Sequence, residues 1–304
     1  MPECPDTPIE FLNRHSGQVE QEQVYGESFL RWVYGRPLGH AALHTVVKRA
    51  AFSRLYGWLM DSERSRDLIA PFISQYQLDP ASFAQPPDAF RSFNEFFYRR
   101  LADGVRPVDP DPDSAVFPAD GRHLAVPDIG AMTGFFVKGQ RFDLPALLGD
   151  AALAEKYARG TLVLSRLCPV DYHRYHFPVC GVPETPRPLP GPLFSVSPIA
   201  LRRRLAYLWE NKRVLTRVQT ERFGTVLVLE IGATNVGSMV STFKPGLPVA
   251  KGAEKGYFRF GGSSVITIFE PGRIRLAPDL LDESARFREL YARVGDVMGT
   301  RPPR

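Results

Sequence analysis

The chain has 304 residues, 44% of them apolar and 23% charged, so it can bury the core of one large domain or of two modest ones. Its formal net charge of +5 indicates an anionic partner, either a membrane surface or a nucleic acid. Its three cysteines form no CxxC pair, which argues against a disulfide framework and favours a reducing compartment.

The amino-terminal part, residues 1–110, is predicted to be helical and to contact a membrane surface. Residues 1–24 are polar and predict a loose lead-in. From Tyr25 to about Met60, apolar residues recur at helical spacing. Basic residues are interleaved with them, at Arg31, Arg36, Lys48, Arg49 and Arg54. This pattern is typical of a helix in a lipid interface, although a core-facing helix with a solvated basic face gives the same pattern.

Two shorter helices are predicted next, over Ser65–Tyr76 and Ser92–Leu101. No apolar run in the chain approaches the roughly 18 residues that a spanning helix needs. The first thirty residues carry acids and lack the apolar segment of a secretory signal. We therefore expect a protein that is soluble or attached to a membrane surface.

The Pro- and Asp-rich stretch from Pro107 to Pro118 predicts the main boundary. Beyond it, residues 111–304 show short apolar runs separated by Gly and Pro, which predict a mostly antiparallel sheet or a barrel. Helices are predicted over Leu144–Tyr157 and Pro198–Lys212, and over the tail Asp279–Val297. The predicted fold class is α+β, with a helical first part and a β-rich second part.

Two stretches of the second part carry side chains suited to acid–base chemistry. Asp120 precedes a glycine after a strand-like run, where a plain turn is the simpler interpretation. His173 and His176 lie three residues apart in an aromatic setting, where desolvation favours a neutral imidazole that can act as a base. A metal pair is an alternative, but no Cys or His cluster elsewhere supplies further ligands. A structural histidine bonded to the backbone is another.

The segment Gly261-Gly262-Ser263-Ser264 leads straight into the apolar run Val265–Phe269. Taken alone, it is most simply a glycine-containing loop before a buried strand. A serine hydroxyl beside so flexible a peptide can also attack its own preceding carbonyl if a base is near. Asp120, a histidine of the pair and Ser263 make an acid–base–nucleophile set. Ser263 opens a strand rather than a Gly-x-Ser-x-Gly elbow, which suits attack on the preceding peptide bond.

These stretches belong to an ordered series of motifs that resembles the phosphatidylserine decarboxylase proenzyme family, from about Phe93 to Gly272. The other motifs are Asn94–Leu101, Lys138-Gly139-Gln140 with Leu144–Gly149, Gly191–Pro198, Asn211-Lys212-Arg213, Gly232–Ser238 and Lys251-Gly252. The sequence departs from the family at the cleavage quartet, which is Gly-Gly-Ser-Ser here instead of Leu-Gly-Ser-Thr. The glycine and the serine at the cleaved bond are both kept.

The resemblance implies self-cleavage between Gly262 and Ser263, which gives a large chain 1–262 and a small chain 263–304. Asp120 would orient His176, which would take the proton from the Ser263 hydroxyl. Ser263 would then become a pyruvoyl group, the covalent cofactor, and no metal would be needed. That group would form a Schiff base with phosphatidylserine, which would lose CO₂ to give phosphatidylethanolamine in phospholipid biosynthesis. His173 would assist decarboxylation or protonation.

The same resemblance implies the partners and the location. The partner would be phosphatidylserine in an anionic membrane surface, not a nucleic acid, and the basic helix near Leu43–Leu59 would hold the enzyme there. The large and small chains would stay associated, a homodimer is suggested, and the location would be peripheral, on the cytoplasmic side of the cell membrane.

Three other functions are compatible with parts of the sequence. One is an uncleaved, inactive relative that serves as a membrane-bound binding protein, although Asp120, His176 and Ser263 are all present. A second is a serine hydrolase that uses the same three residue types. The third is a pyruvoyl-dependent decarboxylase of a soluble amine, against which the basic amphipathic amino-terminal region argues.

Overall fold

The structure is a computed structural model that describes residues 8–24, 26–36, 38, 39, 43, 57–132, 142–233, 239–259 and 263–303. Its strands are β1 (Glu10–Asn13), β2 (Gln18–Gln21), β3 (Ser114–Val116), β4 (Gly121–Val126), β5 (Thr161–Leu167), β6 (Arg174–His176), β7 (Val182–Pro183), β8 (Arg187–Leu189), β9 (Arg213–Gln219), β10 (Thr225–Ile231), β11 (Met239–Ser241), β12 (Glu254–Phe258), β13 (Ser263–Phe269), β14 (Arg275–Leu276), β15 (Glu289–Ala292) and β16 (Val297–Thr300). Its α-helices are α1 (Glu27–Gly35), α2 (Ile69–Gln75), α3 (Phe93–Phe97), α4 (Leu144–Leu148), α5 (Ala151–Lys156), α6 (Pro198–Arg203), α7 (Tyr207–Glu210) and α8 (Pro278–Ala285).

A ten-stranded sheet dominates the described part of the chain, in the order β2-β1-β15-β4-β5-β13-β10-β9-β7, with β8 also paired to β9. Every pair in it is antiparallel except β1 with β15. Two three-stranded sheets accompany it, β11-β12-β6 and β14-β16-β3. The α+β class is confirmed. The barrel alternative is wrong, because the main sheet is open, with β2 and β7 at its two ends.

The central strands β5 and β13 are buried along their whole length, because both faces of the sheet are covered. Alternate side chains of a strand point to opposite faces. Leu162, Leu164, Ile266 and Ile268 accordingly join one apolar cluster, and Val163, Val265 and Phe269 join another on the opposite face. These near-continuous Val, Leu and Ile runs are the ones from which the sequence predicted strands.

The amino-terminal lead-in, expected to be loose, instead forms β1 and β2 at the edge of the main sheet. Phe11 is buried there against β15, while β2 is mostly exposed and polar. Neither four-residue strand is long enough to carry a periodic signal of its own, and β1 pairs with β15, which lies almost the whole chain length away. The division at residue 110 stays a prediction.

Two predicted helices are each divided in two. Gly149 ends α4 in a left-handed conformation (φ 58°), and the Asp150 side chain caps α5 by accepting a hydrogen bond from the Leu153 N–H. The helix predicted over Pro198–Lys212 likewise consists of α6 and α7. At Gly149 and Asp150, local capping chemistry overrides the continuous apolar periodicity.

The helix predicted over Asp279–Val297 is wrong beyond Ala285. Only α8 is helical, and Phe287 then takes a positive φ of 58°. The following residues form β15, which pairs with β4, and β16, which pairs with β3. Their apolar side chains at helical spacing are buried by strand pairing instead.

An aromatic cluster forms the core of the helical segment before the sheet. Phe72 of α2 packs edge-on against Phe93 and Phe96 of α3, with ring centroids 5.2 and 5.9 Å away. The short aromatic helix expected near residues 92–101 is thus present. Residues 44–56 of the predicted interfacial helix, including Lys48, Arg49 and Arg54, lie outside the described residues. Among those described, no helix combines the length and apolar character that crossing a membrane requires.

We expect Asn211→Ala to lower the free energy of unfolding by about 3 kcal/mol. The buried Asn211 amide accepts from the Phe194 N–H at 2.9 Å and donates to the Phe194 and Gly232 carbonyls at 2.8 Å. Alanine would leave all three backbone groups buried and unpaired. Urea unfolding measures the loss, and the exposed Gln75→Ala variant is the control. Equal stability of the two variants would contradict this prediction.

Candidate active site

Ser263 is the first residue of the central strand β13. It lies opposite Leu167, the last residue of β5, and is fully buried. Its Oγ has no hydrogen-bond partner among the described residues. Four other buried hydroxyls, including those of Ser264 and Thr267 on the same strand, also lack a partner among the described residues. The position of Ser263 at the start of the strand, beside the Asp120 motif, therefore distinguishes it as a candidate for a chemical role. Its predicted cleavage partner Gly262 lies outside the described residues.

Asp120 immediately precedes β4, at the same end of the sheet. The β4–β5 register brings Gly121 beside Leu167, so Asp120 is two strand positions from Ser263, roughly 10 Å. Gly121 is required at this crossing, because a Cβ there would lie 2.4 Å from the Arg166 carbonyl oxygen. The motif Asp120-Gly121 is therefore more than a plain turn.

The Asp120 carboxylate is buried and bonded on both oxygens. The Arg106 guanidinium donates to it at 2.6 and 2.9 Å, and the Val294 N–H donates at 2.9 Å. Sequence reasoning missed Arg106. The only local signal was its place just before Pro107, in a segment that resembles a linker.

His176 ends β6 in the small sheet beside the main one. Its backbone N–H donates to the Pro118 carbonyl at 2.7 Å, which brings it next to the Asp120 motif. Its Nδ1 lies 2.9 Å from the Gly252 carbonyl, which can only accept, so a neutral imidazole carries its proton on Nδ1. The buried Nε2, without a partner among the described residues, is then free to accept a proton.

The surroundings of His176 keep its ring neutral. Burial lowers the pKa of His176 below the ordinary 6.5, and the hydrogen bond to the Gly252 carbonyl and the negative charges of Glu254 and Asp120 partly oppose this effect. Asp120 and His176 therefore interact through their charges, while the described hydrogen bonds of the carboxylate go to Arg106 and Val294. Orientation of His176 by Asp120 stays a prediction.

His173 is fully buried at the same end of the sheet. Its ring lies against Phe97 of α3, with centroids 3.9 Å apart, and its Nδ1 lies 3.0 Å from the Asp171 carbonyl. Its own carbonyl accepts from the Phe258 N–H at 2.9 Å, where β12 ends. The chain then runs from β12 toward Ser263, so His173 lies beside the strand that leads to the predicted cleavage site.

A buried ionic network fixes the loop that carries His173. Arg166 of β5 binds Glu289 of β15 and also Glu22, and Arg122 of β4 donates to Asp171 at 2.5 Å. Burial raises the pKa of Glu22, but the charges of Arg166 and Arg122 outweigh it and lower the pKa to about 2. Since these charges are paired, removing any one of them leaves its partners buried and unpaired.

A second buried pair joins the two sheets that hold Ser263 and His176. Lys255 of β12 lies 2.7 Å from Glu230 of β10, and both are fully buried. The next residue of β10 pairs with Ser264. Burial lowers the pKa of Lys255 and raises that of Glu230, while their attraction opposes both shifts. Sequence reasoning missed the pair, because a lysine in a short strand usually faces solvent.

The described part of the chain contains no group of three or more acidic, His or Cys side chains placed to hold a metal ion. Independence from metal stays a prediction.

Comparison with known proteins shows the family to which the chain with these candidate site residues belongs. The family model described as phosphatidylserine decarboxylase matches residues 93–295, which include all four predicted site residues. The chain belongs to the phosphatidylserine decarboxylase family. The predicted resemblance is confirmed, and so is the prediction that the chain is an enzyme of this decarboxylase family, made as a proenzyme.

Relatives named phosphatidylserine decarboxylase proenzyme align along nearly the whole chain. The protein of Chlamydia muridarum is 42% identical over 291 residues, 96% of this chain and 97% of the relative. The protein of Chlamydia trachomatis serovar D is 40% identical over the same length and shares. That of Desulfitobacterium hafniense strain Y51 is 40% identical over 296 residues, 97% of this chain and 99% of the relative.

Proposed function

We propose that this member of the family is a self-cleaving decarboxylase that converts phosphatidylserine to phosphatidylethanolamine and CO₂ in phospholipid biosynthesis. Its cofactor is a pyruvoyl group formed from Ser263. The observation that carries the proposal is the buried, unpartnered Ser263 hydroxyl, at the same end of the sheet as Asp120 and His176.

His176 is the base of the cleavage step. Its unprotonated Nε2 accepts the proton of the Ser263 hydroxyl, and Oγ attacks the Gly262 carbonyl carbon, so that the amide becomes an ester. The negative charge of Asp120 stabilises the imidazolium that results. Elimination then releases Gly262 as a carboxylate, and hydrolysis with loss of ammonia leaves a pyruvoyl group at position 263.

The surroundings of Ser263 fit such a group. Its hydroxyl makes no hydrogen bond with the described residues that the conversion would break. A pyruvoyl carbonyl supplies an electron sink for the electron pair that CO₂ leaves behind. His173, held by Phe97 and the Asp171 carbonyl, is assigned to proton handling in decarboxylation, and His176 to cleavage.

The two chains 1–262 and 263–304 stay associated after cleavage. The small chain begins with β13, which pairs along its length with β5 on one side and β10 on the other, and both neighbours belong to the large chain. Buried central strands of this kind are held by backbone bonds and by apolar packing on both faces. A homodimer of such pairs stays a prediction.

The amino-terminal region docks on an anionic membrane that contains phosphatidylserine, on the cytoplasmic side. Support comes from large apolar side chains that solvent reaches there: Phe29, Trp32, Leu38, Trp58 and Leu59. Trp58 is 68% exposed, and aromatic side chains of this kind favour the membrane–water interface. No role for nucleic acid is proposed.

The decisive experiment compares wild type with Ser263→Ala by denaturing electrophoresis and intact mass. We expect wild type to give chains 1–262 and 263–304, the second with a blocked, carbonyl-bearing amino terminus. The alanine variant stays whole, because it has no nucleophile. Only the cleaved protein should release CO₂ from phosphatidylserine vesicles. An intact wild-type chain that still released CO₂ would contradict the assignment of the cofactor to Ser263.

Self-cleavage should lose half of its rate only at a pH below 6.5, at which an ordinary histidine is half protonated. The active form of His176 is neutral, and burial lowers its pKa, so the midpoint of the pH–rate profile should lie below 6.5. Pulse–chase of newly translated chain measures it. His173→Asn is the control and should keep this profile. A midpoint above 6.5 would exclude His176 as the base.

Trp58→Glu should reduce binding to vesicles that contain phosphatidylserine by at least about tenfold, because the apolar contribution of the indole is lost. Vesicle sedimentation measures the change. Leu247→Glu is the matched control, since Leu247 is also an exposed apolar side chain, at 54%, but belongs to the β-rich part. Equal binding of both variants and wild type would contradict docking through Trp58.

A further inference from the structure

A cavity of about 640 Å³ lies beside Asp120. Four arginines line it, Arg99, Arg106, Arg122 and Arg293, together with four carboxylates, Glu20, Asp79, Asp120 and Asp171. Asp120 and Asp171 are bonded to arginines, while Glu20 accepts from Asn13 and Asp79 accepts from the Ala81 N–H. The charges are balanced in number, so the arginines that lack a carboxylate partner are the ones that could bind a further anion.

Two of the four arginines have carboxylate partners. Arg106 donates to both oxygens of Asp120, and Arg122 donates to Asp171 and lies 3.6 Å from Glu22. Their charges are therefore compensated within the protein. These ion pairs therefore add no net positive charge to the cavity wall.

Arg99 has no such partner. It is only 5% exposed, and no carboxylate of the described residues lies within ion-pair distance of it. Its contacts are the rings of Phe83 and Phe96, 4.9 and 4.8 Å from the guanidinium carbon, and a long 3.4 Å bond to the Phe96 carbonyl. Its Nε is buried without a partner in the described part of the chain.

Arg293 adds a second unsatisfied donor to the same wall. Its Nε is also buried without a partner among the described residues, although part of the residue reaches solvent. Burial lowers the pKa of Arg99 to about 10, so it still carries its charge at neutral pH. A buried charge without a carboxylate at hydrogen-bond distance is costly, and the more distant charges of Asp120 and Asp171 and the aromatic rings compensate it only in part. An anion in the cavity would supply the missing partner.

We infer that this cavity binds a phosphate-class oxyanion, with Arg99 and Arg293 as its donors. A guanidinium offers a fork of N–H donors that matches such an anion. A tetrahedral oxyanion can accept from two guanidinium groups in different directions, whereas one fork satisfies a planar carboxylate. The phosphate can belong to a lipid headgroup or be free in solution, since both present the same oxygens.

The test uses full-length Ser263→Ala, which cannot carry out the proposed cleavage, so failure here is independent of failure of the proposed function. Thermal unfolding and calorimetric titration are run with sodium phosphate against chloride of equal ionic strength. We expect the melting temperature to rise by about 5 °C at roughly a hundred times the Kd. Serine without phosphate should give no rise.

Arg99→Met, added to this background, should remove most of the phosphate response and weaken binding at least about tenfold. Arg99→Lys should keep part of it, because it keeps the charge without the fork. Arg222→Gln, an exposed arginine paired with Asp113, is the control and should respond fully. If Arg99→Met fails to fold by circular dichroism, Arg293→Gln provides the same comparison at a partly exposed position.

The outcome depends on the phosphate response of the parent chain, on its loss in the arginine variants and on the preference for phosphate over serine. No response of the parent chain to phosphate, or an equal response in the Arg99 and Arg293 variants, overturns the inference, and so does equal binding of serine alone. Titration with glycerophosphoserine separates the two sources. Tighter binding of this diester than of inorganic phosphate assigns the site to a lipid headgroup, and the reverse order assigns it to free phosphate.

Discussion

The pairing of β13 between β5 and β10 is the constraint on which the rest of the site depends. It fixes Ser263 at the end of a fully buried strand, and the register with β5 and β4 brings Asp120 to the same end. A one-residue slip of β13 would turn every side chain to the opposite face and exchange Ser263 for Ser264. Packing opposes that slip, because it would move the side chains that fill each of the two apolar clusters to the opposite face.

Buried charges then hold the second sheet and the His173 loop against this frame. The Lys255–Glu230 pair joins β12 to β10, and the network around Arg166 joins β4, β5 and β15 to the loop. Apolar side chains of similar volume would often be as stabilising in such positions. The ionic groups instead define one geometry, because each charge is satisfied only when its partner lies at hydrogen-bond distance. We attribute to them the positioning of the histidines rather than net stability.

The local sequence was sufficient for the central strands, and it singled out the candidate site residues, whose roles stay predictions. Asp120, His173, His176 and Ser263 lie in distinctive motifs, and β5, β10 and β13 are apolar runs too short for helices. The short strand β1, the strand β15 and the partners of Arg106 and Lys255 could not be predicted, because contacts made only in the folded chain determine them. Arg106 is an example. Its sequence segment resembles a linker, and its ion pair with Asp120 forms only in the folded chain.

The bonding of Asp120 to Arg106 bears on how strong a base His176 can be. With both carboxylate oxygens engaged, Asp120 acts on the imidazole through its charge, and burial still lowers the pKa of His176. A base of low pKa is present in its active form at neutral pH, but it accepts a proton less readily than a stronger base does. A base that accepts a proton so weakly would limit the rate of an enzyme that turns over many times. In the proposed mechanism a weak base is acceptable for a cleavage that each chain performs once, and His173 is the histidine proposed to act in every catalytic cycle.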